Sequence, residues 1–96
     1  MSEQAVSARP AGRGDRRAPA QPVQSVDRAL ELLAAVASSD HPPTVAQLSA
    51  VCGLNRSTAW RLLATLETHG MVERQPSGGY RVGYGALRLG AAADVD

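Results

Sequence analysis

Arg56, Ser57, Thr58, Trp60 and Arg61 fall within six consecutive positions. Guanidinium groups, hydroxyls and an indole packed this closely can hydrogen-bond phosphates and base edges, which is groove-reading chemistry. Other chemistries lack their parts. No serine or cysteine stands beside an evident base, the chain has no lysine, and no glycine loop is built to cradle phosphate. Gly83-x-Gly85 lacks both the third glycine and the βαβ setting of a dinucleotide fingerprint. The carboxylates of residues 23–90 (Asp27, Glu31, Asp40, Glu67 and Glu73) show no spacing that pairs them. A single cysteine, Cys52, excludes an internal disulfide framework and a multi-cysteine metal site, and His41 and His69 stand far apart in sequence. Cys52 reads as a small buried residue at a helix end. No catalytic residue, metal or cofactor is expected, and the chain does not read as an enzyme.

The elements that must position the run at 56–61 are legible in residues 44–70. Thr44 with Gln47 three positions later is a capping-box pattern. Val45, Leu48 and Val51 give the helix that follows an apolar stripe. Gly53 suits the left-handed residue that stops it, Leu54 drops into the core, and Asn55 is a favoured N-cap for the next helix. In that second helix Ala59, Leu62, Leu63 and Leu66 share one face, while Arg56, Ser57, Thr58, Trp60, Arg61, Thr65 and Thr68 lie mainly on the others. This is a helix-turn-helix. Upstream, a helix is expected over 25–38, capped by Ser25, with Val26, Ala29, Leu30, Leu33, Val36 and Ala37 as its stripe. Residues 38–43 form a loop ended by two prolines. Downstream, 71–74 reads as a strand with Val72 inward, 75–79 as a Gly-rich turn and 80–82 as a returning strand, the arrangement of a wing. A further helix is expected to start after Gly85. Residues 1–22, rich in Ala, Arg, Pro and Gly, read as a disordered arm, a solvated tail or one that touches DNA.

Charge supports the same polarity. The chain carries ten arginines and a net charge of only +1. Residues 23–52 hold one arginine against three carboxylates, whereas 53–90 hold five against two. The basic half therefore begins with the second helix of the motif, as a DNA face requires. With three aromatic residues and no Phe, the core must be built from Leu, Val and Ala. No apolar run approaches the ~18 residues of a membrane span, and no secretory leader is evident, so a cytoplasmic location and no membrane partner are expected.

Three segments in this order, S-V-D-R-A-L-E-L-L from Ser25, G-L-N-R-S-T-A-W-R-L-L-A-T-L from Gly53, and G-M-V-E-R followed by Y-R-V-G, resemble the N-terminal DNA-binding domain of IclR-type transcriptional regulators. The resemblance implies a mainly α fold with a small β-hairpin: a winged helix-turn-helix on a three-helix core over 23–83, with 84–96 starting a linker helix and tail. It implies recognition-helix contacts to double-stranded operator DNA from Arg56, Ser57, Thr58, Trp60 and Arg61, and Thr65, off the apolar face of the same helix, is expected to join them. Wing contacts are implied for the tip at 77–80 (Ser77, Gly78, Gly79 and Tyr80) and for Arg81. Trp60 departs from the tyrosine or other polar residue more usual in the family, and either groove contact or packing against a neighbouring helix is open to its indole. Members of the family continue into a C-terminal effector domain that assists assembly, so a homodimer is expected, weak without that domain. A fragment, a truncated frame and a free-standing module all stay open. Repression is the expected mode of regulation. The competing reading is a winged-helix module for protein–protein interaction or dimerisation without DNA binding.

Overall fold

Helix α1 (Gln24–Ala37) packs across α2 (Val45–Cys52) and α3 (Arg56–Thr68), and a hairpin of β1 (Val72–Arg74) and β2 (Tyr80–Val82) closes one side before α4 (Tyr84–Ala93) leaves. The computed structural model describes residues 20–93. The Arg-rich arm at 1–19 lies outside the described residues. The fold is the expected winged helix-turn-helix.

Local rules place most of the boundaries. At α2 both halves of the capping box form: the Gln47 amide donates to Thr44 Oγ1 at 3.2 Å, and the Thr44 amide donates to Gln47 Oε1 at 2.9 Å. The helix ends at Gly53, φ 68° and ψ 34°. There the Gly53 amide donates to Ala50 O (3.4 Å) and the Leu54 amide to Ser49 O (2.9 Å), the paired bonds of a Schellman motif. α3 ends the same way, with Gly70 at φ 73°, its amide donating to Glu67 O and that of Met71 to Leu66 O. Both residues after the glycines, Leu54 and Met71, then pack on the core. Asn55 caps α3, its Oδ1 accepting from the Thr58 amide at 2.8 Å.

Leu32, Val36, Leu48, Leu63, Leu66, Val72 and Tyr80 form the buried cluster. Three expectations change here. α1 begins at Gln24 behind an extended Val23 with no side-chain cap, so Ser25 sits inside the first turn. That turn is exposed, and water can satisfy its free amides. The stripe of α1 is phased on Leu32, wholly buried, while Val26 and Leu30 stay more than half exposed and Ala37 faces out. In α2 Val51 is 76 % exposed; Val45, Leu48 and Cys52, at positions i, i+3 and i+7, make the inward line.

The hairpin is antiparallel, with Val72 across from Val82, Glu73 from Arg81 and Arg74 from Tyr80. It is fastened to the loop before α2, since the Tyr80 amide donates to Pro43 O at 2.9 Å. Gly79 lies buried beneath Pro42, whose carbonyl occupies the space a Cβ would need. At the far end the Gly83 amide donates to Met71 O and the Gly85 amide to Gly70 O, both at 2.8 Å. α4 therefore starts at Tyr84, ahead of Gly85, held by backbone contacts at the end of α3.

Candidate nucleic-acid interface

The inward line of α3 runs through Ala59, Leu63 and Leu66, with Leu62 half-buried beside it. At 3.6 residues per turn the opposite line passes Ser57, Arg61, Ala64 and Thr68, all exposed. Arg56 and Trp60 occupy one flank and Thr58 and Thr65 the other. The second flank turns toward α1: Thr58, Arg61 and Thr65 border an open groove of about 800 Å³ shared with Ser25, Val26 and Leu30.

Hydrogen bonds within α3 decide which groups are available. Ser57 Oγ donates to Asn55 Oδ1 at 3.2 Å, so engaging a phosphate would cost that bond, while Asn55 still caps Thr58. Thr65 Oγ1 donates to Arg61 O (3.1 Å) and Thr68 Oγ1 to Ala64 O (3.0 Å), back-bonding that leaves their hydroxyls less ready to read a base. Arg56 and Arg61 are exposed at the entry to the helix. Trp60 is 42 % exposed, and the Arg74 guanidinium at the end of β1 stands over its ring, 4.9 Å from the centroid. The indole thus meets the turn-side end of β1, a contact beyond the two expected for it, the groove and a neighbouring helix.

On the hairpin, Ser77 is exposed at the tip and Gly78 holds a φ of 100°. Gly79 and Tyr80 do not belong to that surface. Gly79 is buried under Pro42, and Tyr80 is a core residue, 2 % exposed. Arg81 is exposed, but on the hairpin face opposite to Tyr80, across from Glu73 and beside a groove shared with Asp40 and His41. Arg74, absent from the expected set, stands on the Tyr80 face and reaches α3. The strand alternation starting from an inward Val72 carries that signal, because it places position 74 on the same face.

Burial raises the Tyr80 phenol above its ordinary value; the nearby Arg74 charge acts in the opposite sense, and the Glu67 carboxylate adds to the rise. The Cys52 thiol is raised too, by burial and then by Glu31, so it stays protonated and unreactive at neutral pH. Among the described residues no three His, Cys, Asp or Glu side chains converge as metal ligands, and no helix is long and apolar enough to cross a membrane.

Comparison with known proteins converges on this arrangement. A family model described as the IclR helix-turn-helix domain matches residues 25–76. The HTH-type transcriptional regulator XynR of Escherichia coli K12 is 35 % identical over 69 residues, 71 % of this chain and 27 % of XynR. The glycerol operon regulatory protein of Streptomyces griseus is 33 % identical over 72 residues, 74 % of this chain and 28 % of that protein. The crystal structure of an IclR transcriptional regulator from Alicyclobacillus acidocaldarius superposes with a TM-score of 0.70 at 32 % identity, covering 76 % of this chain and 30 % of that one. The chain spans little more than a quarter of the length of these curated relatives.

Proposed function

From the premise that this chain belongs to the IclR helix-turn-helix family, we propose that it is the DNA-reading part of a sequence-specific transcriptional regulator. In this reading α3 lies in the major groove, entering by its N-terminal half. Arg56 and Arg61 reach phosphates or guanine edges and Ser57 a phosphate. The hairpin tip at Ser77 and Gly78 follows the neighbouring backbone. Thr58 and Thr65 border the contact from the α1 side, and Arg81 contributes at longer range. The observation that carries the reading is the outward face of α3. The N-terminal half of a helix whose other side is locked into the core presents two arginines, a serine and a half-exposed indole with no carboxylate among them, the helix's one acid, Glu67, coming in its last turn.

Operators of such modules are read by pairs, with recognition helices about one helical turn, ~34–36 Å, apart. We carry a homodimer into the proposal on that ground. The exposed apolar residues Val26 and Leu30 of α1 and Tyr84, Leu87 and Leu89 of α4 are the surfaces on which copies would meet. Repression by occluding a promoter is the mode that needs no further contact.

The test is electrostatic. Fluorescence anisotropy of a labelled duplex, selected by the protein from a random-sequence pool, is followed against salt. Log affinity should fall linearly with log salt, and Arg56→Ala or Arg61→Ala should each lower the slope by about 0.9. Binding indifferent to salt, or no duplex enriched by selection, refutes the DNA reading and leaves the protein-interaction module in its place.

A further inference from the structure

We propose that Arg74 is a DNA-backbone contact and that Trp60 is its positioning residue. The indole is a platform that presents the strand-end guanidinium beside the recognition helix, so that helix and hairpin act as one surface. This rests on the DNA reading above.

The hairpin register and the ring placement carry the inference. Arg74 pairs across the hairpin with Tyr80, so its side chain leaves the sheet on the face that looks toward α3. Tyr80 is swallowed by the core, whereas Arg74 remains exposed, with its guanidinium 4.9 Å from the centroid of the Trp60 ring. Trp60 follows Arg56 and Ser57 by one turn of α3, so the cation stands alongside the two residues that open the proposed contact. A guanidinium laid over an aromatic face is attracted through its charge and its plane. Its N–H donors point outward within that plane, so the same group can stack and still take a phosphate bidentately. The other cation over a ring, Arg88 above Tyr84 at 6.0 Å, joins residues one turn apart within α4 and bridges nothing. Among the described residues, the Trp60–Arg74 contact is the one that ties the recognition helix to the wing by a cation over a ring. Arg81, the arginine expected to serve the wing, faces Glu73 on the opposite side of the hairpin.

The purely structural alternative is that Arg74 offsets Glu67, since both charges act on the buried Tyr80 hydroxyl. That role would change thermal stability but not the number of counterions released on DNA.

The test uses the full 96-residue chain, with two labelled duplexes: one selected from a random pool by the wild type, and one of unrelated sequence. Arg74→Ala should lower the salt slope by about 0.9 on both, and weaken binding about eightfold at 0.1 M salt, the loss that one phosphate contact implies. Arg74→Gln keeps the side-chain stem against Tyr80 and should lose the same slope, which covers the case in which the alanine variant folds poorly. Trp60→Ala should weaken binding in the wild-type background and much less in the Arg74→Gln background. Trp60 is the only tryptophan, so tryptophan emission, excited selectively over the two tyrosines, reports the surroundings of this one indole, and Arg74→Gln should change it in the free protein. Wild-type slopes retained by both Arg74 variants, or strictly additive losses from Trp60 and Arg74, overturn the proposal. If the wild type itself binds neither duplex in a salt-dependent way, the DNA reading has failed upstream of it.

Discussion

Gly53 forms the turn between α2 and α3, and replacing it separates backbone strain from packing. Its φ of 68° and ψ of 34° lie in the left-handed region. No heavy atom beyond its chain neighbours stands within 4 Å of the place a Cβ would take. A side chain there collides with nothing, so the cost is conformational. An L-residue in this region loses about 1–2 kcal/mol. Removing glycine's freedom in the unfolded chain returns about 0.4–1 kcal/mol. Gly53→Ala should therefore cost about 1 kcal/mol. That corresponds to a fall in melting temperature of about 4–8 °C for a domain of this size. Asn tolerates the left-handed region, so Gly53→Asn should lose less than Ala; the β-branched Gly53→Val should lose more and abolish DNA binding by tilting α3. Gly79 provides the contrast. There a Cβ runs into the Pro42 carbonyl, so Gly79→Asn should fare no better than Gly79→Ala. The assay is thermal unfolding followed by circular dichroism at 222 nm, with urea titrations to confirm an unchanged m-value. A Gly53→Ala protein that melts with the wild type, or an Asn variant with no advantage over Ala, would show that strain does not govern the turn.

The remaining predictions concern caps, core phase and pH. Asn55→Ala and Thr44→Ala should each cost about 0.5–2 kcal/mol in urea unfolding, whereas Ser25→Ala, which removes no cap, should be neutral within error. Leu32→Ala should cost about 2–5 kcal/mol, comparable to the whole stability of so small a core, and unfold the domain by circular dichroism; Leu30→Ala should leave it folded. Burial holds the Cys52 thiol and the Tyr80 phenol above their ordinary values of 9.0 and 10.0. Above pH 9 the unfolded chain releases these protons first, the folded chain binds more, and stability should fall as pH rises; near pH 7 neither group contributes a slope. Urea unfolding from pH 7 to 11 checks this, and Tyr80→Phe should remove the part of the decline that lies above pH 10.

What was legible in the fold was what neighbours along the chain decide. The Thr44–Gln47 box, the turn at Gly53, the Asn55 cap and the strand pair around 75–79 each need only a few consecutive residues of the right type, and all form. The phase of α1 was not decided locally. From Leu32 to Ala37 every position is apolar, so several stripes satisfy a helical period equally well. Packing against α2 and α3 then selects Leu32 and Val36. Val51 and Cys52 pose the same ambiguity at the end of a short, largely apolar helix, and the i+7 position wins. Ser25 illustrates a different limit: a good capping type does not cap where exposed turns can leave their amides to water.

The proposed recognition helix, α3, was legible because its inward face is unmistakable, and the outward face follows as its complement. The wing was only half legible, for a physical reason. Val72 marks the inward side of the first strand, but which residues of the returning strand share that side depends on the register across the turn, and this is held by two contacts distant in sequence: the backbone bond from Tyr80 to Pro43, and the burial of Gly79 beneath Pro42. Once those bonds fix the hairpin face, Tyr80 must go inward, and Arg81 must go outward opposite Glu73. Arg74, on the Tyr80 face but at its edge, is then brought over the ring of Trp60. The indole on the helix and the arginine on the strand are thus joined by one contact. Neither residue type nor spacing along the chain could announce it, because the pairing exists only after the hairpin has been fastened to the loop before α2.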